Sequence, residues 1–141
     1  MIYAPIEWTE ELTLGFTQID EDHRTLVQMV NNVFLGVCAR LDNDILSTAC
    51  DDLIIHTQGH FLREELAMER HFYSGLDDHK SEHAELLDAL GGALKTIITI
   101  SDADQFHKAQ QSLGSWLTEH IVGQDKQTVD FILAHNEPQV A

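Results

Sequence analysis

Four stretches of this chain carry apolar residues at a helical period, and its two prolines, Pro5 and Pro138, both lie near the ends. Stripes that recur every three or four residues with few breakers between them have to be buried against one another as packed helices. The first stripe, Leu26, Met29, Val30, Val33 and Phe34, follows Asp20, whose type suits an N-cap, with Glu21 and Asp22 where acidic groups favour the helix dipole. A second helix is expected from Asp42–Asp44 through Leu46, Leu53, Ile54 and Phe61 to about Tyr73, where Ser74 and Gly75 read as a stop. The third runs from Asp77 past Leu86, Leu87 and Leu90 toward Ile100. Gly91 and Gly92 inside it cost about 1 kcal/mol each against alanine and predict a kink or a close helix contact. The fourth opens at Ser101 or Asp102, carries Leu113, Trp116, Leu117 and Ile121, and ends before Pro138.

Four helices with short connections imply an all-α fold, an up-down-up-down antiparallel four-helix bundle. Residues 1–18 hold no lasting period and are expected as an extended N-terminal arm, anchored by Trp8, Leu12, Leu14 and Phe16 on a bundle spanning 19–137. A length of 141 residues suits one domain. The formal net charge of -16 repels phosphate backbones and anionic lipid, so nucleic acid and membrane surfaces are poor partners and bound cations good ones. Cys38 and Cys50 form no C-x-x-C pattern and read as ordinary buried thiols. No basic start followed by an apolar run, and no apolar stretch near the roughly 20 residues of a membrane span, leads to an expected cytoplasmic location.

Nine histidines stand against eight lysines plus arginines, and their spacing is ordered. His60 and Glu64 are four apart, as are His79 and His83, so each pair shares a helix face. In an up-down-up-down bundle the starts of helices one and three and the ends of two and four share one end of the barrel. His23, His60, Glu64, His79, His83, His120 and Asp125 should therefore converge there. Neutral imidazoles with two carboxylates suit iron, and also zinc, copper or manganese. One spacing resists: His120 and Asp125 are five apart, about 140° around an ideal helix, where Gln124 would have fitted better. Either Asp125 reaches sideways to bridge two ions, or the helix is distorted near Gly123. A helix start also disfavours an imidazolium, which would help keep His23 neutral near the third helical position.

These residues resemble the hemerythrin family, in its bacterial single-domain form. The likeness runs from Ile6-Glu7-Trp8, Gly15, Ile19-Asp20 and His23 through His60-Phe61, Glu64-Glu65 and Met68, then His79 with His83, Trp116-Leu117, His120-Ile121 and Asp125. The resemblance implies a non-heme centre of two iron ions bridged by Glu64, Asp125 and an oxo or hydroxo group. His79, His83 and His120 would complete one iron; His23 and His60 would hold the other and leave a position open for reversible binding of dioxygen. Trp116 and Ile121 are then candidates for the apolar pocket wall, with ordinary core packing as their plain alternative. The family more often carries tyrosine where this chain has His56, one turn before His60. That histidine either packs inertly or lies near the open iron as a hydrogen-bond donor, proton source or alternative ligand, which keeps a di-iron oxidase, peroxide-handling or iron-handling enzyme as an alternative. An oxygen or redox sensor acting through a partner is the other. His71, His107 and His135 match no pattern and are expected at the surface.

Overall fold

A computed structural model of the chain describes residues 3–100 and 102–135. The expectations that fall on Ser101, Pro138 and the first two residues lie outside these. Helix α1 spans Thr17–Cys38, α2 Asn43–Arg70, α3 Leu76–Ile97, α4 Ala103–His120 and α5 Lys126–His135, with a 3-10 turn at Glu10–Leu12 and no strand among the described residues. Helices α4 and α5 are one helical run joined through a π turn at Ile121–Asp125, so the described residues form four long helical stretches. α1 packs on α2, α2 on α3, and α3 on α4.

Several ends differ from the sequence reading, each for a local reason. α1 is capped at Phe16, ahead of the expected Asp20. Asp20 instead sits in the first turn and reaches back, accepting the backbone N–H groups of Leu14 at 2.8 Å and Gly15 at 3.0 Å. Gly15 takes φ +93°, a left-handed turn into the helix that glycine adopts without a Cβ penalty. α1 and α2 then end alike. Arg40 and Phe72 both take φ 56°, and the following residues donate backward in Schellman fashion, Leu41 N–H to the Gly36 carbonyl at 3.1 Å and Tyr73 N–H to that of Met68 at 2.9 Å. Gly75, expected to stop α2, is the N-cap of α3. α3 stops at Ile97, short of Ile100, and runs through Gly91 and Gly92 as regular helix. A Cβ at either would meet nothing within 4 Å, so no close helix contact needs them. Asp102 caps α4, accepting the Asp104 N–H at 2.7 Å.

The core runs between the helices. Tyr3 stacks on Phe34 with centroids 5.0 Å apart, and Phe34 and Phe106 make a T-shaped pair at 5.5 Å. Of the expected N-terminal anchors Leu12 is buried, while Trp8, Leu14 and Phe16 are half-buried. Asn31 adds a tie the sequence did not announce: it accepts the Ile6 N–H at 2.8 Å, donates to the Ile6 carbonyl at 3.0 Å, and accepts the Tyr3 hydroxyl. Cys50 is buried and Cys38 half-buried, both as free thiols. None of the described helices is long and apolar enough to cross a membrane.

Candidate metal centre

His23, His60, Glu64, His79, His83, His120 and Asp125 all lie in one buried cluster. It divides into two groups whose donor atoms fall within 4.8 Å of one another: Glu64, His79, His83, His120 and Asp125 in one, His23, His60, Glu64 and Asp125 in the other. The two carboxylates belong to both. Glu64 Oε2 lies 2.7 Å from His60 Nε2 and 3.6 Å from His23 Nε2, while Oε1 lies 3.3 Å from His83 Nε2 and 3.6 Å from His79 Nε2. Asp125 turns Oδ2 to His23 at 2.9 Å, and Oδ1 to His120 at 3.0 Å and His79 at 3.2 Å.

The five-residue spacing of His120 and Asp125 is resolved by the π turn that joins them. Hydrogen bonds from i to i+5 bring residues five apart one turn above each other, which an α-helix does for residues four apart. The helix is therefore distorted around Gly123, and Asp125 is aimed inward with its two oxygens toward both histidine groups.

Four of the five imidazoles are held from behind. With Nε2 facing the cluster, His60 Nδ1 meets Asp22 Oδ2 at 3.0 Å, His83 Nδ1 meets Glu65 Oε2 at 2.8 Å, His120 Nδ1 meets Glu82 Oε1 at 2.8 Å, and His79 Nδ1 meets Thr128 Oγ1 at 2.9 Å. A carboxylate behind Nδ1 keeps the proton there and leaves the Nε2 lone pair free for an ion. Asp22 is fixed in turn by Arg63, whose Nε and Nη2 donate at 2.8 and 2.9 Å. Phe61 stacks flat on His83, 3.9 Å between centroids, and makes a T-shaped contact with His120. His23 has no partner at Nδ1 among the described residues.

The charges explain why the cluster suits cations. Burial raises the pKa of both carboxyls, yet the surrounding histidines outweigh it: His60 with the hydrogen bonds of His23, His60 and His79 holds Glu64 well below its usual value. Asp125 is also lowered, although burial and the Glu64 charge oppose this. Burial disfavours the imidazoliums, but Glu64 and Asp22 lift His60, and Asp125 and Glu64 lift His79, to about 9. Two buried anions thus demand positive charge. Yet His60, His83 and His120 Nε2, both Glu64 oxygens and Asp125 Oδ2 lie buried without an aligned hydrogen bond, some at ion-pair distance from each other. Lone pairs that converge on common points instead of on one another fit metal ions, and the nitrogen and oxygen donor set fits iron.

A cavity of about 10 Å³, room for a molecule near the size of one water, abuts His23 and His60. Leu26, Leu53, Thr57, Trp116 and Ile121 supply its apolar wall. His56 is not among the residues that line it; its Nε2 lies 3.5 Å from the Asp22 carbonyl. His23 is the seventh residue of α1, beyond the first turn, so the dipole argument for its neutrality loses its basis, and carboxylate contacts raise its pKa despite burial. His107 and His135 are exposed and His71 is half-buried. Sequence reasoning missed Asp22, Glu65, Glu82 and Thr128. Three of them adjoin a cluster residue in the chain, but each serves a histidine on another helix, and no local pattern marks that.

The hemerythrin HHE cation binding domain family matches residues 14–132 of the chain. Among similar proteins are a bacteriohemerythrin of Stenotrophomonas maltophilia, 26% identical over 132 residues (94% of this chain, 84% of that protein), and the myohemerythrin of Riftia pachyptila, 27% identical over 122 residues (86% and 89%). Hemerythrin subunit 1 of Golfingia vulgaris is 28% identical over 127 residues (90% and 89%).

Proposed function

The chain belongs to the hemerythrin family, and from that premise we propose that it is a non-heme di-iron protein that binds dioxygen reversibly, as a carrier, store or delivery protein. The observation that carries the reading is the shared pair of carboxylates, each offering one oxygen toward His23 or His60 and the other toward the histidines of α3 and α4. Glu64 and Asp125 would bridge two ions; His79, His83 and His120 would complete one, and His23 with His60 the other. With five donors in one group and four in the other, the ion held by His23 and His60 would have one ligand fewer, and the apolar cavity abuts those two histidines. When bound, the iron pair supplies two electrons to dioxygen and recovers them as the gas leaves.

The protein's part is geometric and electrostatic. Asp22, Glu65, Glu82 and Thr128 fix ring orientation and keep protons on the outer nitrogens, so the inner lone pairs stay available. Leu26, Leu53, Trp116 and Ile121 exclude water from the open side, where a leaving proton or anion would turn reversible electron transfer into permanent oxidation.

We also read the bundle as up-down-up-down and as one domain, with the segment before α1 as its arm. Side chains from the early turns of α1 and α3 and from the later turns of α2 and α4 meet in one cluster, which supports opposite directions for consecutive helices. The test is metal analysis joined to optical spectra of reduced, air-free protein, then oxygenated, then purged. About two irons per chain and an oxygen-induced band that fades on purging support the proposal. A chain that takes up no iron when iron is supplied would sink it.

A further inference from the structure

The inner cavity is walled mainly by apolar side chains, and a second, larger apolar space lies against it. Between α3 and α4 lies an apolar groove of about 240 Å³, lined by Ala89, Leu90, Ala93, Ala109, Ser112, Leu113 and Trp116. Leu90 and Trp116 also line the inner cavity against His23 and His60, so two side chains alone are common to both spaces. Trp116 is placed to move. Its indole N–H is buried without a hydrogen-bond partner among the described residues, so nothing polar there locks the ring. The side chains beside it in the groove, Ala93, Ala109 and Ser112, are small and leave it room. The inner space, at about 10 Å³, holds little more than one small molecule, so a gas entering from the groove has to displace Trp116 or Leu90.

The geometry points to Trp116 and Leu90 as a gate, with the α3–α4 groove as the entrance through which dioxygen reaches the metal centre. This rests on the proposed oxygen-binding function and adds the path and the residues that control its rate. A gate alters arrival and departure together and leaves the equilibrium between them largely alone, whereas residues that merely pack would change stability instead.

Filling the entrance tests this. Ala93→Phe and, from the opposite wall, Ala109→Phe should each slow the reaction of reduced, iron-loaded protein with dioxygen by about tenfold, and slow release equally, with affinity held within about threefold. Ser47→Phe, in a separate groove lined by Cys50, Ile54 and Leu94, should change neither. If the iron oxidises irreversibly instead, the functional proposal fails, but the rate of that oxidation still reads arrival of the gas. A second readout avoids iron: in a Trp8→Phe background Trp116 is the remaining tryptophan, and quenching of its fluorescence by dioxygen in zinc-loaded protein should fall in both filled variants. Folded variants that react with dioxygen as fast as the parent would overturn the gate.

Discussion

Replacing Asp22 with alanine would separate the two halves of the centre. Among the described residues Asp22 is the only outer anchor of the His23–His60 half, because there His23 Nδ1 has no partner and His60 Nδ1 has Asp22 alone. Its loss leaves a buried imidazole donor unsatisfied, worth about 1–3 kcal/mol. Arg63, 41% exposed, turns its guanidinium to water at a cost of about 0–1 kcal/mol. An outer partner of a ligating histidine typically accounts for about 10–100-fold in metal affinity. The other half keeps Thr128, Glu65 and Glu82 behind His79, His83 and His120. Anaerobic titration of metal-free protein with iron(II), followed by calorimetry, should show the five-donor half filling first. In Asp22→Ala the second step should weaken by about 10–100-fold while the first moves by less than about threefold. Equal weakening of both steps, or of neither, would refute the division of the site into halves with separate supports. Glu82→Ala should invert the pattern, striking the first step.

Metal loading near pH 7 should expel protons, since Glu64 and Asp22 hold His60, and Asp125 and Glu64 hold His79, protonated up to about 9 against burial; a weakly buffered titration that releases none would count against it. The sign for stability follows: these raised values stabilise the metal-free fold fully below about pH 6.5 and the gain is lost as pH rises through about 9, readable in urea midpoints. At the acid end, burial pushes Asp22 up but His60 and Arg63 bring it to about 2, so its contribution is complete above about pH 4 and lost as pH falls toward 2. Gly92→Ala, exposed and mid-helix with open space for a methyl, should stabilise by about 1 kcal/mol; a lower thermal midpoint would show that the glycine serves a purpose the helix does not reveal. Phe72→Gly should also gain about 1 kcal/mol by relieving the left-handed backbone at the end of α2, and an unchanged midpoint would mean that the turn is not strained.

Much of the molecule was legible because its signals are local and repeated. Apolar stripes such as Leu26-Val30-Val33 and Leu113-Leu117 gave the helices, and the i, i+4 pairs gave the faces that carry His60 with Glu64 and His79 with His83. The ends were less legible, because they turn on backbone states that residue type only biases. Phe72 and Arg40 occupy positions where glycine is usual, and the glycine nearest the end of α2, Gly75, begins the next helix. The π turn showed itself as an awkward spacing between His120 and Asp125, though its form could not be read from Gly123 alone. Least visible were Asp22, Glu65, Glu82 and Thr128, whose partners sit on other helices and depend on the relative rotation of helices that the stripes fix only coarsely.

The claim that this bundle holds an iron pair for reversible oxygen binding is tested most directly by gas recovery. Reduced, iron-loaded protein is exposed to a measured quantity of dioxygen, the uptake per chain is recorded, and the sample is then evacuated. The account predicts one dioxygen taken up for each pair of irons and returned as dioxygen under vacuum, through repeated cycles. Uptake without return, or consumption that continues beyond one molecule per pair, would contradict it and mark the centre as an oxidase.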